Sequence, residues 1–550
     1  MTKLASRWLL AILTVASSLR LFRLARADAA NDEVFYGFRS IGLFDSLNAP
    51  DQPTPFDWFD PLPWWAHLSF HDHPPLGFWI MHLCMRVFGP NLVGMRIASA
   101  LAGIATVLLT YLVAKRLFRS ERVALLAAAI LAVNSCHVWF SRIGMQESLV
   151  IFFMMLATWL FLKTLEDARY LYWTVAATGI AMLMKYTAVI LAPIFLIWLA
   201  RNRRDLLSWP RVLAAGALLA AVLSPVLVYN LMLYRARHHF DFQISHLLGQ
   251  QVAEWQVRPG REVGSVADRL RNLPLHFAAA YGPIFTALTI LALGLGLRIR
   301  RHVDLRFVGL SLVSLVALLL LIGPQLWFLA MLAPMLALLV AASLCWAAGK
   351  QRWVVPAVAV VLCAELAFAI NTSFPVAPLG WESWTYSVLH RDSGTWGYNE
   401  LETQLQQKME GRFAAQAFPL RTVYARELNR EAVERSRRAG KTPYRVLFVS
   451  DSSLSGIASL WYLSRHQIYD AWPVIDDTLY LKGIARDPRF FFQQGFEEVV
   501  FIRAADTLLR DHPDPRAAIA VEATFRAQGV RPRPIAGPQG QPAFWLYEAR

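Results

Sequence analysis

Charge is scarce in this chain. Only 17% of its 550 residues are Asp, Glu, Lys or Arg, against 56% hydrophobic residues and a mean hydropathy of +0.38. A soluble protein of this length carries more charge, so the shortage excludes that class and leaves an integral membrane protein. Acid is scarcer than base, with 39 Asp and Glu against 54 Lys and Arg. The net charge of +15 does not signal nucleic acid, because the basic residues cluster in short loops between apolar runs, where the positive-inside bias puts them. Cysteine is scarcer still. Cys84, Cys136, Cys345 and Cys363 lie in or near apolar segments, and no two have metal-ligand spacing, which excludes a thiolate metal site and a disulfide framework. Residues 372–550 lack any membrane-length apolar run. The turn Asp451-Ser452-Ser453-Leu454-Ser455-Gly456 in that stretch lacks the Gly-rich fingerprint of nucleotide sites, so it is no more than a weak anion-binding candidate. No internal repeat is visible.

What the chain does have is long hydrophobic runs, at about 8–25, 95–118, 121–140, 146–165, 170–184, 186–200, 212–233, 275–297, 307–323, 326–346 and 353–371. Most approach the ~20 residues that cross a bilayer core, giving an expectation of about eleven transmembrane helices. The first run, with Arg20 and Arg23 before the small residues Ala25-Arg26-Ala27, reads as an uncleaved span and not a signal peptide. Segment 76–90 ends at Gly89-Pro90 and reads as an interfacial helix. Basic turns at Lys115–Arg122, Lys163–Arg169, Arg201–Arg211, Arg298–Arg306 and Lys350–Arg352 alternate with loops poorer in base. They place the N-terminus inside and, by the odd span count, residues 372–550 outside. Residues 170–200 are flanked by base on both sides and must therefore cross an even number of times. Two short or broken helices meeting at Lys185 satisfy this, and a lysine at that depth should face a polar cavity. Tyr444–Ser450, Glu497–Ile502 and Phe544–Tyr547 read as strands and Arg421–Arg438 as a charged helix, making 372–550 a small α/β domain.

Polar residues recur on the outer side. Asp32 and Glu33 open the first loop (about 26–94) and His71, Asp72 and His73 close it. Arg96, then Arg142 with Glu147, Lys185 with Tyr186, and Tyr229 with Asn230 follow at successive outer turns, and His238, His239, Asp241, Gln243 and His246 come after them. Each alone is compatible with an ordinary polar loop. Together they suit glycosyl transfer from a lipid phosphate: a carboxylate takes the acceptor's proton, and cations stabilise the phosphate that leaves. Arginine would do this with a bidentate fork and lysine as a point charge. Asp32, His71, His73 and Glu147 would serve equally as ligands of a divalent metal ion, and their spacing does not decide the matter. No other cofactor is implied.

Several stretches carry a family resemblance: NDEVFY at 31–36, HPPLGFW at 73–79, MRIASALAG at 95–103, SRIGMQESLVIFF at 141–153, GIAMLMKYTAVILAP at 179–193, SPVLVYN at 224–230 and QLWFLAMLAP at 325–334. In this order they resemble the GT-C membrane glycosyltransferases of the protein O-mannosyltransferase and aminoarabinose transferase group, over about residues 1–350. The resemblance implies a GT-C fold, with residues 1–371 as the membrane catalytic domain and 372–550 as a periplasmic α/β domain. It implies a polyprenyl-phosphate sugar donor, an acceptor that is a protein, a glycolipid or an envelope polymer, and a place in the cytoplasmic (inner) membrane. Asp32 is then the catalytic carboxylate and Glu33 its support. Arg96, Arg142 and Lys185 grip the donor, Glu147 is the second acidic position, and His73, Tyr186 and Asn230 line the substrate site. The chain departs from aminoarabinose transferases at His73, where lysine is usual, and at Gln325 and Trp327. Two other readings predict different things. A lipid flippase would show repeat-related broken helices with midplane polar groups, and a non-catalytic envelope scaffold would not need Asp32.

Overall fold

The computed structural model describes residues 3–47, 52–255, 264–299, 305–454, 456–508 and 515–550. Arg300 and Arg301 of the fourth basic turn and Ser455 of the candidate anion turn fall outside them. The chain divides into two compact units, one of Met1–Leu24 with Trp64–Arg391 and one of Ala25–Pro63 with Asp392–Arg550.

The first unit is a helical membrane assembly. Lys3–Leu21, Leu92–Phe118, Glu147–Thr164, Val266–Ile299, Leu326–Ala348 and Val354–Ser373 are long and apolar enough to span a bilayer, and Trp209–Val222 with Ser224–Arg237 form one further pair bent by 70°. Among the described residues this makes six membrane-length helices, or seven with the bent pair, and corrects the expected count of about eleven. The remaining runs are cut short by identifiable residues. Glu121–Val133 stops at Asn134, whose side chain accepts the His137 N–H at 3.0 Å and starts a new helix, Ser135–Phe140. Leu171–Met184 stops where Lys185 turns extended (φ −159°), and Tyr186–Ile190 resumes as a short 3-10 helix before Leu191–Asn202. The break foreseen at Lys185 is therefore present. Within Val266–Ile299, Gly282 (φ 80°) kinks the helix just before Pro283, which has no N–H to give. Leu92–Phe118 packs against Lys3–Leu21, Leu76–Phe88, Glu121–Val133 and Glu147–Thr164. Gly103 permits one close approach: a Cβ there would lie 2.1 Å from Ser141 Oγ.

The second unit is an α/β domain. Its five-stranded sheet runs in the order Val474–Asp476, Val446–Ser450, Glu498–Ala504, Pro542–Ala549, Arg533–Ala536. The first three strands are parallel and the last two antiparallel additions. Val446 to Val449 are wholly buried, the pattern of a central strand covered on both faces. Arg516–Ala527 and Asp477–Ile484 pack over the sheet, closing a core of Leu447, Val449, Phe501, Phe525 and Tyr547. The expected strands and the charged helix, here Val423–Arg438, are all present. The early segment 25–63 belongs to this unit and contributes the helix Asp32–Gly42.

Candidate active site

In the membrane unit the break at Lys185 creates an ion pair. Lys185 Nζ donates to Glu147 Oε1 and lies 4.9 Å from the centroid of the Phe328 ring. Glu147 is the first residue of its helix, where the N-terminal end of the helix dipole favours a carboxylate. The side chains of Glu147 and Lys185 are 1% and 12% exposed, so the pair is largely withdrawn from solvent. Glu147 Oε2 and both polar atoms of the adjacent Gln146 side chain are buried without a hydrogen-bond partner, which leaves bonding capacity for a ligand. Gly77, in the His73-Pro74-Pro75-Leu76-Gly77 segment, lets the helix Leu76–Phe88 close on this point: a Cβ there would lie 2.9 Å from Gln146 Nε2.

A second cluster gathers Tyr186, Asn230 and Asp241. Tyr186 donates to Asp241 Oδ2 at 2.6 Å and Asn230 Nδ2 donates to the same oxygen at 3.0 Å, while the Asp241 N–H returns a bond to Asn230 Oδ1 at 2.8 Å. Asp241 Oδ1 caps the helix Phe242–Leu247 by accepting from the Ile244 N–H. Burial raises the Asp241 carboxyl above its usual range, opposed by these donors and reinforced by the charge of Asp72. Asp241 is the organising residue of the cluster, yet the sequence reading placed it only among loop polars. Its signal was the N-cap position ahead of a short apolar turn. The end of the first loop joins it here: the Phe242 N–H donates to the His71 carbonyl at 2.6 Å. Asp72 Oδ1 lies 3.8 Å from His71 Nδ1 and 3.2 Å from His73 Nδ1, so two imidazoles and one carboxylate share one turn.

The arginines are engaged with backbone. Arg142 donates to the carbonyls of Leu19, Arg20, Phe22 and Arg23, at 2.9, 3.5, 2.9 and 3.2 Å, and so caps the end of Lys3–Leu21; its guanidinium stacks 4.4 Å from the Phe374 centroid. Arg96 is buried and donates to the Leu24 carbonyl at 3.0 Å. The acidic pair is on the other unit. Asp32 is half-buried at the first position of Asp32–Gly42, and Glu33, buried, reaches back to the Ala30 N–H at 3.4 Å. Of the metal-ligand candidates, His71 and His73 therefore share a turn, Glu147 is ion-paired, and Asp32 belongs to a different unit.

Many membrane-length helices, a helix break at a buried ion pair, and an α/β unit make up this scaffold. Known proteins share it. The dolichyl-phosphate-mannose-protein mannosyltransferase family matches residues 72–229, from the first-loop Asp72 through the Lys185 break. The undecaprenyl phosphate-alpha-4-amino-4-deoxy-L-arabinose arabinosyl transferase of Pseudomonas aeruginosa (strain LESB58) is 32% identical over 183 residues, 31% of this chain and 31% of that protein. The matched part is thus about a third of the length of this curated relative. The crystal structure of ArnT from Cupriavidus metallidurans bound to undecaprenyl phosphate superposes with a TM-score of 0.54 at 16% identity, over 99% of this chain and 98% of that one. The Archaeoglobus fulgidus oligosaccharyltransferase in the apo form gives 0.50 at 14% identity, over 91% and 69%. The fold is that of these GT-C glycosyltransferase structures, and residues 72–229 are similar to the mannosyltransferase family.

Proposed function

We propose that this protein transfers a sugar from a polyprenyl-monophosphate donor to a protein, glycolipid or envelope-polymer acceptor at the outer face of the cytoplasmic membrane. The observation that carries this reading is the Lys185–Glu147 pair at a helix break, within the stretch that resembles dolichyl-phosphate-mannose transferases. A buried ammonium beside open hydrogen-bonding atoms is a site for an anionic headgroup, and a phosphate on a lipid suits a cavity inside a membrane unit. In the reaction, Asp32 accepts the proton of the acceptor hydroxyl or amine as that atom attacks the anomeric carbon, with Glu33 supporting the turn. The carbon–oxygen bond to the phosphate breaks, and Lys185 holds the departing polyprenyl phosphate. Tyr186, Asn230 and His73 contact the sugar, while Arg96 and Arg142 fix the outer ends of the helices beside it. By ligand type, His71 and Asp72 would offer a nitrogen and an oxygen donor to a divalent metal, which would supply positive charge there.

In this reading residues 1–371 are the catalytic membrane part. The first loop (about 26–94) and residues 372–550 are extracytoplasmic, and the N-terminus is inside. The test is turnover of a panel of labelled polyprenyl-phosphate sugars by the full chain in lipid, with a membrane extract as acceptor source. Transfer from one donor is expected, reduced on the order of 10²–10⁴-fold by Asp32→Asn. A protein that neither binds nor consumes any donor of the panel would overturn the reading in favour of a flippase or scaffold.

A further inference from the structure

The α/β unit contains the segment that carries Asp32, and it grips that segment from both ends. Asp28, four residues upstream, is buried, and its carboxylate accepts four backbone N–H groups: Trp396 at 2.6 Å, Gly397 at 3.0 Å and Tyr398 at 3.2 Å on Oδ2, and Asn399 at 3.0 Å on Oδ1. These amides are the open N-terminus of the helix Tyr398–Met409, which has no side-chain cap of its own. The next residue, Ala29, donates its N–H to the Tyr462 hydroxyl at 2.8 Å, and that hydroxyl donates to Asn399 Oδ1 at 3.0 Å. Asn399 closes the circuit through its amide to the Arg26 carbonyl at 3.1 Å. Tyr462 lies in Leu460–Ser464, a single π-helical turn of the kind that re-aims side chains at functional positions. At the far end of Asp32–Gly42, Tyr469 donates to the Phe38 carbonyl at 2.8 Å and Tyr424 to the Gly42 carbonyl at 2.9 Å.

Between the two grips the backbone is strained. Asn31, directly before Asp32, has φ 55° and ψ −153°, a region that residues with a side chain seldom enter. Such a conformation is costly and persists only where the surroundings over-determine it. Here the four-fold bond to Asp28 and the hydroxyl bond to Ala29 do so.

We infer that Asp28 and Tyr462 are positioning residues, and that one role of the α/β unit is to hold the Asp32 carboxylate in a fixed, strained presentation. This rests on Asp32 being the base of the proposed transfer. The orientation of a base is decisive, because misplacement by about an ångström can cost on the order of 10²-fold in rate.

Three full-length variants in lipid nanodiscs test it: Asp28→Asn, Tyr462→Phe and Asp32→Asn. Turnover of the donor consumed by the wild type, affinity for undecaprenyl phosphate, and amide hydrogen exchange are measured on each. Asp28→Asn and Tyr462→Phe are expected to lower kcat on the order of ten- to a hundred-fold. KM and undecaprenyl phosphate affinity should stay within about twofold, the kcat–KM split of a misplaced group. Exchange should rise across residues 29–36 and stay unchanged in Arg516–Ala527. Wild-type kcat together with unchanged exchange at 29–36 in both variants overturns the inference. So does a loss of kcat accompanied by raised exchange throughout the unit, which is plain unfolding; Tyr462→Phe removes a single oxygen and guards against that outcome. Wild-type turnover by Asp32→Asn would instead sink the base assignment, with exchange at 29–36 still deciding whether the clamp exists.

Discussion

Lys185 pairs with the Glu147 carboxylate and faces the Phe328 ring, in a setting where an ammonium has little water to fall back on. Removing one member of such a pair strands the other charge, at a cost of about 3–5 kcal/mol. Lys185→Gln is therefore expected to lower the melting temperature in detergent and abolish undecaprenyl phosphate binding. Lys185→Gln with Glu147→Gln should recover most of the stability and none of the binding, and calorimetry alongside ligand titration separates the two effects. Recovered binding in the double variant would make the pair purely structural. A second charged group allows a pH argument. His466 stacks on Trp472 at 3.9 Å and sits between Asp470 at 2.6 Å and Glu402 at 3.0 Å, with Arg465 also bonded to Glu402. Burial opposes charge on His466, but Glu402 and Asp470 outweigh it and raise its pKa above the ordinary value. Burial likewise opposes ionisation of Glu402, yet His466 and Arg465 bring it down to about 2; Asp470 is lowered too. A raised histidine adds stability below its unfolded pKa of about 6.5 that is lost as pH rises through the folded value. The lowered carboxylates add stability above about 4.5 that is lost as pH falls through theirs. The cluster's contribution thus peaks between those two values. His466→Gln should flatten the pH dependence of unfolding on the alkaline side of that window, read as Tm against pH for the full chain.

At the scale of elements, small residues and breaks decide what the helices can do. Gly103 ends the MRIASALAG stretch, and its missing side chain is the space into which Ser141 fits, one residue before Arg142 caps Lys3–Leu21. Gly103→Val must push that turn away, costing about 1–3 kcal/mol as overpacking does. Lower thermal stability together with weaker donor binding is expected, and an unchanged Tm would mean that the turn has slack. The helix breaks were legible where a residue announces them. Lys185 between basic flanks foretold two half-helices, whereas the kink at Gly282-Pro283 lies inside the run 275–297, which reads as one unbroken span. The stop at Asn134 was not legible, because an asparagine inside an apolar run reads as a tolerated polar residue until its side chain is seen capping His137. The central strands were legible from unbroken β-branched and aromatic runs. The edges Val474–Asp476 and Arg533–Ala536 were not, being three and four residues long with a proline in one.

For the whole molecule, hydropathy located the apolar runs but not the partition of the loops. The first loop looked like one outer segment, whereas residues 25–63 belong to the α/β unit and 64 onward to the membrane unit. That division rests on bonds between residues hundreds of positions apart, such as Asp28 with the start of Tyr398–Met409, for which no local pattern exists. The same distinction governs topology. Residues 25–63 follow the first span and 392–550 follow the last, and both belong to one compact unit, so the number of crossings must be odd, as seven with the bent pair gives and six does not. Two cysteines report on sidedness once the native exposed Cys363 is replaced. Gln407 lies on an exposed face of Tyr398–Met409, and Asn202 is exposed at the end of Leu191–Asn202. With right-side-out vesicles and an impermeant maleimide, Gln407→Cys should label and Asn202→Cys should stay protected, because the arginines around 201–211 favour the cytoplasmic face. Labelling at both positions would put Asn202 on the same side as the α/β unit, and protection of Gln407→Cys would put the N-terminus outside and the whole α/β unit inside. That last outcome would also move Asp32 to the side where a periplasmic acceptor is never found, so sidedness and chemistry stand or fall together.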